Sequence, residues 1–321
     1  MMRKSIIGRF IAHVKKNFRH YLSLPKSSGK TVVVMIDGEM PHGGLTDRFR
    51  HIMSIYFYCK MHSLSFRLYY IYPCSLEKIL LPNAYDWRIS KKNISYSFID
   101  SKEILIYAHY KSAHISKKEE IKTHLKILNL ILSSTRNIQY HVYGNCYFAE
   151  KDFSSLFGEL FKPSSLLQAK LDTLLKPNMQ YEAVVLRFQQ LLGDFIEGNF
   201  PILDKCNRNK LINKCVEKIK ELYLNKYFST KEILVTSDSS VFLECIKEEL
   251  DFCFIIPGRN IHMDFVDQEE NDNIYMKSFI DLFMLSRAKK ITSLKTSIMY
   301  DTGFPEFAAQ IGNIEYNKIV F

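Results

Sequence analysis

Short apolar runs alternate along this chain with longer segments in which apolar residues recur three and four positions apart. The short runs predict buried strands, and the longer pattern predicts helices with one buried face. Such an alternation favours parallel sheets, because parallel neighbours need a crossover that is usually a helix. The first series comprises Thr31–Ile36, Thr46–Met61, Phe66–Ile71, a strand from Glu103, Lys117–Ser133 and a strand from Ile138.

Two proline-containing breaks, FKPSSL and LKPNMQ, then interrupt the alternation. A second series follows them and comprises Glu182–Phe188, Asn207–Asn225, Glu232–Asp238, Ser239–Leu250, FCFII, Met276–Arg287, KKITS and Gly303–Ile311. We therefore predict an α/β protein with two Rossmann-like domains that face a cleft. The predicted parts are a basic N-terminal segment at 1–30, a first domain at 31–160, a connection at 161–180 and a second domain at 181–321.

The composition is that of a folded, basic protein. Apolar residues make up 47% of the 321 residues, which supports a sizeable core in each domain. The net charge of +10 suits a polyanion, an anionic membrane surface or a substrate that carries phosphate. The seven cysteines are scattered without a C-x-x-C pair, which indicates a reducing compartment and gives no support for a zinc site.

The N-terminal segment combines an apolar stripe with basic residues. It is too short and too charged for a membrane span, and it lacks the small-residue cleavage site of a signal peptide. Two interpretations fit its pattern, namely a helix on an anionic membrane surface and a helix packed on the first domain. The stripe consists of Ile6, Ile7, Phe10, Ile11 and Val14.

A glycine loop follows the first predicted strand, in the stretch VVVMIDGEMPHGGLTDRF. Gly43 and Gly44 precede a helix that Thr46 can cap and whose first turn contains Asp47. Unpaired N–H groups at a helix start attract anionic or hydroxyl-rich ligands, and glycine lets such ligands approach the backbone. The alternative is an ordinary strand-to-helix turn, in which glycine merely fits the geometry.

An arginine, Arg187, lies at the carboxyl end of the strand EAVVLRF of the second series, next to its last residue. Ligands of open α/β sheets bind at the carboxyl ends of the strands, and guanidinium can bond two diphosphate oxygens at once. The alternative is a structural ion pair, for example with Asp194.

Two further strand ends of the second series carry polar side chains. Ser237 and Asp238 end LVTSD, where an acid can accept hydrogen bonds from a base or a ribose. Thr296 and Ser297 lie in the loop after KKITS, where hydroxyls could bind phosphate. Helix capping and an ordinary polar loop are the respective alternatives.

In their order, these segments resemble the fucosyltransferase superfamily that contains α1,2-, α1,6- and protein-O-fucosyltransferases. The glycine loop with its helix resembles the family's GGLGNR/Q segment, VVLRF is similar to its HxRR strand, and VTSD is similar to its SDD strand end. The fourth segment, DLFMLSRAKKITSLKTSIMYDTGFPEFAAQIG, is similar to DLxLLSxCxxxIxSxSSFSxxAAxLG. The chain departs from the family at two of these motifs. It has apolar residues where HxRR has its histidine and its second arginine, and Thr46-Asp47 where the glycine loop usually has asparagine.

The resemblance implies an inverting, metal-independent glycosyltransferase of the GT-B type that needs no cofactor and uses GDP-fucose as donor substrate. The nucleotide then lies mainly on the second domain, and the donor site also includes Gly43, Gly44, Thr46 and Asp47 of the first loop. Gly43 and Gly44 match the first loop, Arg187 the arginine that holds the β-phosphate, and Asp238 the acid near the guanine or ribose. Thr296 and Ser297 match hydroxyl residues near the phosphates, and Asp194 belongs to a Gly-Asp pair that comes later than in the family.

The resemblance also implies an acceptor, namely a hydroxyl of a bacterial surface glycan, free or lipid-linked. A base is then needed near the first loop, where Glu39 and His42 are the ionisable residues. The expected location is cytoplasmic, with reversible contact at the inner face of the membrane through residues 1–30.

Two other functions were weighed against this one. A polysaccharide pyruvyltransferase-like enzyme, or another two-Rossmann transferase, would also have a glycine-rich first loop. A basic module for nucleic acid or another polyanion would fit the net charge, but the chain contains no recognisable nucleic-acid-binding motif, so no nucleic-acid partner is expected. No D-x-D triplet occurs either, which favours catalysis without a metal ion.

Overall fold

The computed structural model describes residues 29–107, 116–148, 153–195, 200–261, 263 and 273–321. The predicted membrane-binding stripe therefore lies outside the described residues. The described chain forms two compact units, one extending to Glu77 and including Leu81–Lys162, the other comprising Lys78–Leu80 and Pro163–Phe321. No helix in these described ranges is long and apolar enough to cross a membrane.

A four-stranded parallel sheet forms the centre of the first unit. In chain order the elements up to Pro163 are β1 (Thr31–Ile36), α1 (Leu45–Met61), β2 (Ser65–Tyr70), β3 (Leu80–Pro82), β4 (Ser101–Ile106), α2 (Lys117–Ser133), β5 (Gln139–Gly144), α3 (Phe153–Leu160) and β6 (Phe161–Pro163). The strand order is β2-β1-β5-β4, while β3 and β6 pair with each other. All six residues of β1 are buried, as expected for a central strand covered on both faces.

The helix starts of this unit follow local capping rules. The structure confirms α2 at its predicted bounds, and a capping box fixes its start, because the side chains of Ser116 and Glu119 each accept the other's backbone N–H. The expectation that Thr46 caps α1 is wrong. The cap residue is Gly44, in an extended conformation and without a side-chain cap, so Thr46 lies inside the first turn.

The second unit contains a five-stranded parallel sheet. Its elements are α4 (Ser165–Leu174), β7 (Tyr181–Leu186), α5 (Lys205–Leu224), β8 (Glu232–Ser237), α6 (Ser240–Glu249), β9 (Cys253–Ile255), α7 (Asn273–Ser286), β10 (Lys290–Lys295), α8 (Phe304–Gly312) and β11 (Glu315–Val320). The strand order is β11-β10-β7-β8-β9. From β7 the chain first builds outward through β8 and β9 and then returns to the other side of β7, so the topological switch point lies between β7 and β10.

Helices cover both faces of this second sheet. Val184 and Leu186 of β7 pack into the apolar cluster that includes residues of α5 and α6. On the opposite face, the hydroxyl of Tyr181 donates to the backbone oxygen of Met284 in α7, 2.6 Å away. The α/β class with parallel sheets is therefore confirmed for both units.

The sequence analysis missed β11. Among the strands that the structure describes, this strand pairs with β10 alone, in parallel and at the outer edge of the sheet. None of its six residues is fully buried, so it lacks the continuous apolar run by which the inner strands were predicted.

Two glycines of the first unit provide a matched test of the pairing between β4 and β5. A Cβ atom at Gly144 would lie 1.8 Å from the backbone oxygen of Ile106, its partner in β4, whereas one at Gly158 in α3 would meet nothing within 4 Å. We expect Gly144→Ala to lower the free energy of unfolding by roughly 3 kcal/mol or more, because backbone must move. Gly158→Ala should be neutral or stabilise the helix by up to about 1 kcal/mol. Chemical denaturation measures both, and equal stabilities would contradict the paired register.

Candidate active site

The carboxyl ends of β7, β8 and β10 bring three of the predicted residues to one edge of the second sheet. Arg187 follows β7, Asp238 follows β8 and Thr296 follows β10. Because β7 lies between β8 and β10, this edge includes the switch point where open α/β sheets bind ligands.

Asp238 organises the loop that carries Arg187. Its two carboxylate oxygens accept the backbone N–H groups of Phe188 and Gln189, at 2.9 and 2.6 Å. Gln189 has a φ of 58°, so the chain turns sharply here, and the two hydrogen bonds hold that turn. The side chain that the sequence predicted as a ligand contact therefore also fixes the end of the neighbouring strand.

Arg187 pairs with Asp238 and not with Asp194. Its Nε lies 3.3 Å from Oδ2 of Asp238, and its guanidinium stacks 4.5 Å from the ring centre of Phe195. Burial raises the pKa of Asp238, while the positive charge of Arg187 and the two loop N–H groups act in the opposite direction. Both contacts help to orient the arginine side chain, which remains 21% exposed.

Asp194 and the neighbouring serines stabilise a helix start. Oδ2 of Asp194 accepts the hydroxyl of Ser239 and the backbone N–H of Val241, at 3.0 and 2.9 Å. Ser239 caps α6 by accepting the N–H of Phe242. The hydroxyl of Ser237 accepts the N–H of Ser239 and lies 3.3 Å from Asp238. Capping thus accounts for the contacts of Asp194 and Ser239, and the helix-capping alternative given for the end of β8 holds for Ser239.

Thr296 and Ser297 begin the turn after β10. Thr296 is buried, and its Oγ1 has no hydrogen-bond partner within the described part of the chain, whereas Ser297 is exposed. A buried hydroxyl without a partner is costly, so its presence at the switch-point edge is consistent with a ligand oxygen or a water in that position.

The sequence analysis missed a buried polar network next to this edge. Lys277 and Asp281 of α7 form an ion pair at 2.5 Å, and both side chains are nearly inaccessible. The side-chain amide of Asn260 donates to Asp281 and to the backbone oxygen of Ser237, which ties α7 to the end of β8. Two opposite charges four residues apart within an otherwise apolar helix were the available sequence signal.

In the first unit, the glycine loop lies at the carboxyl end of β1. Gly43 needs its residue type, because its φ is +72° and a Cβ atom would lie 2.9 Å from the Asp47 carboxylate. The fully buried Arg48 donates to the backbone oxygens of Gly43 and Tyr72, at 3.0 and 2.6 Å. Arg48 therefore holds the loop from inside, in a role that its place in the sequence did not reveal.

The two candidate bases of this loop differ in their surroundings. His42 is buried, and its Nε2 accepts the backbone N–H of Gly38 at 3.0 Å. Glu39 is partly exposed. A third ionisable residue, which the sequence analysis overlooked, is Asp37: its carboxylate accepts the hydroxyl of Tyr143 at 2.9 Å and the N–H of Glu39 at 3.0 Å. Burial and the charge of Asp37 raise the pKa of Tyr143, which keeps this phenol protonated.

A histidine–cysteine pair in the first unit does not have the properties of a nucleophilic dyad. Nδ1 of His51 lies 3.1 Å from the sulfur of Cys146, and both residues are buried. Burial lowers the pKa of His51 to about 3 and raises the pKa of Cys146. Both groups therefore stay neutral at pH 7, and the thiolate needed for attack is not formed.

Metal binding finds no ready-made site in the described ranges. Among the residues placed there, no group of three or more His, Cys, Asp or Glu side chains could hold a metal ion.

Solved structures of fucosyltransferases share this fold. NodZ α-1,6-fucosyltransferase soaked with GDP-fucose matches with a TM-score of 0.54 at 11% identity, over 88% of this chain and 93% of that chain. The structure of fucosyltransferase NodZ from Bradyrhizobium matches with a TM-score of 0.51 at 10% identity, over 88% of this chain and 93% of that chain. A mutant of Arabidopsis thaliana FUT1 in complex with GDP matches with a TM-score of 0.52 at 13% identity, over 96% of this chain and 73% of that chain.

No protein-family model and no curated protein match the sequence. The structural matches confirm, at the level of the fold, the resemblance that the motifs indicated. At these identities they show the α/β fold, and activity has to be argued from the residues.

The hydrogen bonds of Asp238 generate a stability prediction. In Asp238→Asn an NH₂ group replaces one acceptor, so it faces a backbone N–H or the Arg187 guanidinium. We expect the free energy of unfolding to fall by roughly 2 kcal/mol, because a buried donor is left unsatisfied. Asp251→Asn, at an exposed acid in the same unit, is the matched control and should leave stability unchanged. Denaturation curves at neutral pH compare the two, and similar curves would contradict the organising role of Asp238.

Proposed function

We propose that this protein is an inverting glycosyltransferase that moves fucose from GDP-fucose to a hydroxyl group of a glycan. The observation that carries the proposal is Arg187, set at the switch-point edge by Asp238 and Phe195 in a fold shared with a fucosyltransferase soaked with GDP-fucose. Arginine presents its N–H donors in a planar fork, a geometry that can bond two oxygens of a diphosphate at once.

The chemistry requires charge stabilisation at the leaving group. The bond between C1 of fucose and the β-phosphate oxygen breaks, and GDP keeps the electron pair and the negative charge. The acceptor oxygen forms the new bond at C1 from the opposite side and gives its proton to a base. A fixed guanidinium at the β-phosphate stabilises the developing charge, and the hydroxyls of Thr296 and Ser297 can add hydrogen bonds nearby. In this scheme the cations and N–H groups of the chain take the role that a metal ion has in other transferases.

The acceptor base is assigned to the glycine loop of the first unit. Of the two residues predicted from sequence, we favour Glu39. It is partly exposed, whereas the Nε2 lone pair of His42 already accepts the N–H of Gly38. His42 and Asp37 then fix the loop, while Gly43 and Gly44 let the acceptor approach its backbone.

The remaining parts of the proposal concern the acceptor and the arrangement. We propose a GT-B enzyme whose first unit binds the acceptor and whose second unit binds the nucleotide. The acceptor proposed is a bacterial surface glycan, assembled on a lipid carrier at the inner face of the membrane. The net charge of +10 is compatible with substrates that carry phosphate and with an anionic surface.

A sugar-nucleotide hydrolysis screen tests the function directly. The full chain is incubated with GDP-fucose, GDP-mannose, UDP-glucose and dTDP-rhamnose in EDTA, and release of the nucleoside diphosphate is measured. We expect release from GDP-fucose alone, since water can replace the acceptor slowly. Release from a different donor would overturn the proposed substrate, and release that needs added manganese would overturn metal-independent catalysis.

Arg187 is the residue on which turnover should depend. We expect Arg187→Lys to lose roughly 3 kcal/mol of transition-state stabilisation, a reduction of kcat by about two orders of magnitude, because lysine cannot bond two diphosphate oxygens in a fixed plane. Arg287→Lys, at the exposed end of α7, is the control. Unfolding curves of both variants should match the wild type, and near-normal turnover by Arg187→Lys would refute its assignment.

Membrane contact is the proposal for residues 1–30. Each basic residue near an anionic surface contributes at most about 1 kcal/mol, and salt screens it, so binding should be reversible. We expect the full chain to sediment with phosphatidylglycerol vesicles at low salt and a chain lacking these residues to stay in the supernatant. If both sediment equally, or neither does, the segment does not mediate contact with the membrane.

A further inference from the structure

A polar pocket lies at the amino edge of the first sheet, opposite the glycine loop. Its volume is about 790 Å³, and its wall includes Thr31, Ser65 and Gln139, the first residues of β1, β2 and β5. Strands of six residues separate the two edges by about 20 Å. This amino-edge pocket is therefore distinct from the loop to which the acceptor base is assigned, although both belong to the same unit.

Basic side chains and hydroxyl or amide groups line the amino-edge pocket. They include Arg67, Arg88, Lys92, Ser65, Ser90 and Asn93. The acid in the wall is Glu77. A second acid, Asp86, accepts hydrogen bonds from Nε and Nη2 of Arg88 at 2.8 and 3.0 Å, and its charge also acts on Arg67. Arg88 is thus paired with an acid within the protein, so Arg67 is better placed than Arg88 to bind an anionic ligand.

Arg67 is held in a fixed orientation through one nitrogen. Its Nη1 donates to the backbone oxygens of Phe66 and Asp86, at 2.9 and 3.1 Å, and to the hydroxyl of Tyr85 at 3.3 Å. All of these acceptors are neutral. Its Nε and Nη2 have no hydrogen-bond partner among the residues that the structure describes, and they form the edge of guanidinium that matches a carboxylate or phosphate. A fixed guanidinium edge loses little side-chain entropy when it binds an anion.

We propose that the amino-edge pocket binds an acidic sugar residue of the acceptor glycan, with Arg67 bonding its carboxylate or phosphate and the neighbouring hydroxyl and amide groups bonding the sugar hydroxyls. The volume falls within the range of roughly 300–1,000 Å³ typical of small-ligand sites. Glu77, which also lines the pocket, repels a second negative charge and so restricts the site to one anionic group at a time. This inference extends the proposed function, because it adds a glycan site remote from the point of transfer.

A matched pair of oligosaccharides tests the site. Hyaluronan tetrasaccharide carries uronate carboxylates and chitotetraose does not, and titration calorimetry with the full chain compares their dissociation constants. We expect the acidic tetrasaccharide to bind about tenfold more tightly, as a charge-assisted hydrogen-bond pair would give. Arg67→Gln should remove that difference, whereas Arg287→Gln, which removes the same charge from an exposed site, should retain it. Equal affinity of the wild type for both sugars would overturn the proposal.

Further measurements distinguish a site for an acidic sugar from a site for a lipid phosphate. Arg67→Lys keeps the charge but loses the planar pair of donors, so its preference for the acidic sugar should lie between those of the wild type and Arg67→Gln. This variant keeps the test decisive if Arg67→Gln fails to fold. Phosphatidylglycerol vesicles should bind the wild type and Arg67→Gln alike. Vesicle binding that is lost with Arg67, while the acidic sugar binds unchanged, would assign the pocket to a lipid phosphate and overturn the glycan site. GDP is titrated into the same samples as an independent test of the proposed function. If the acidic sugar binds and GDP does not, only the proposed transferase activity is refuted.

Discussion

The second unit depends on how one buried carboxylate is satisfied. Asp238 lies at the end of β8. Its oxygens accept the N–H groups of Phe188 and Gln189 and form an ion pair with Arg187. An ionised carboxylate that is buried must be fully hydrogen-bonded, because its desolvation is otherwise too costly. The loop after β7 therefore has one acceptable conformation, and the position of Arg187 follows from it. Catalysis by charge stabilisation requires such preorganisation, since a donor that must reorient loses much of its advantage.

The first unit uses the same device with different residues. Asp37 follows β1 and accepts the hydroxyl of Tyr143, from the neighbouring strand β5, together with the N–H of Glu39. Arg48 holds the far end of the glycine loop from within α1. In both units, then, a buried acid ties the end of one parallel strand to the strand or loop beside it. The partly exposed side chains on these loops, Glu39 and Arg187, can be placed accurately because the backbone beneath them is fixed.

Local signals were enough to predict most of the framework. The apolar runs of β1 and β8 and the helical pattern of α2 require only neighbouring residues, and the structure has these elements where the patterns indicate. What could not be predicted depends on distant partners. Asp238 acts on residues 50 positions earlier in the chain, so its sequence neighbours indicated a helix cap. The edge strand β11 lacks a buried run, and the choice between Gly44 and Thr46 as cap depends on a backbone angle that the sequence does not specify.

The two proposed sites of the first unit together constrain the acceptor. The glycine loop and the amino-edge pocket lie at opposite ends of six-residue strands, about 20 Å apart, and a glycan on the protein surface must follow a longer path than that. A monosaccharide acceptor cannot reach both. An acceptor that binds at Arg67 and reacts beside Glu39 must be an oligosaccharide with its acidic residue several rings from the reacting hydroxyl. In such an acceptor the distant contact contributes binding energy without touching the reaction centre, and it raises the local concentration of the hydroxyl at the loop. Selection for chain length then follows from the length of β1 and β5.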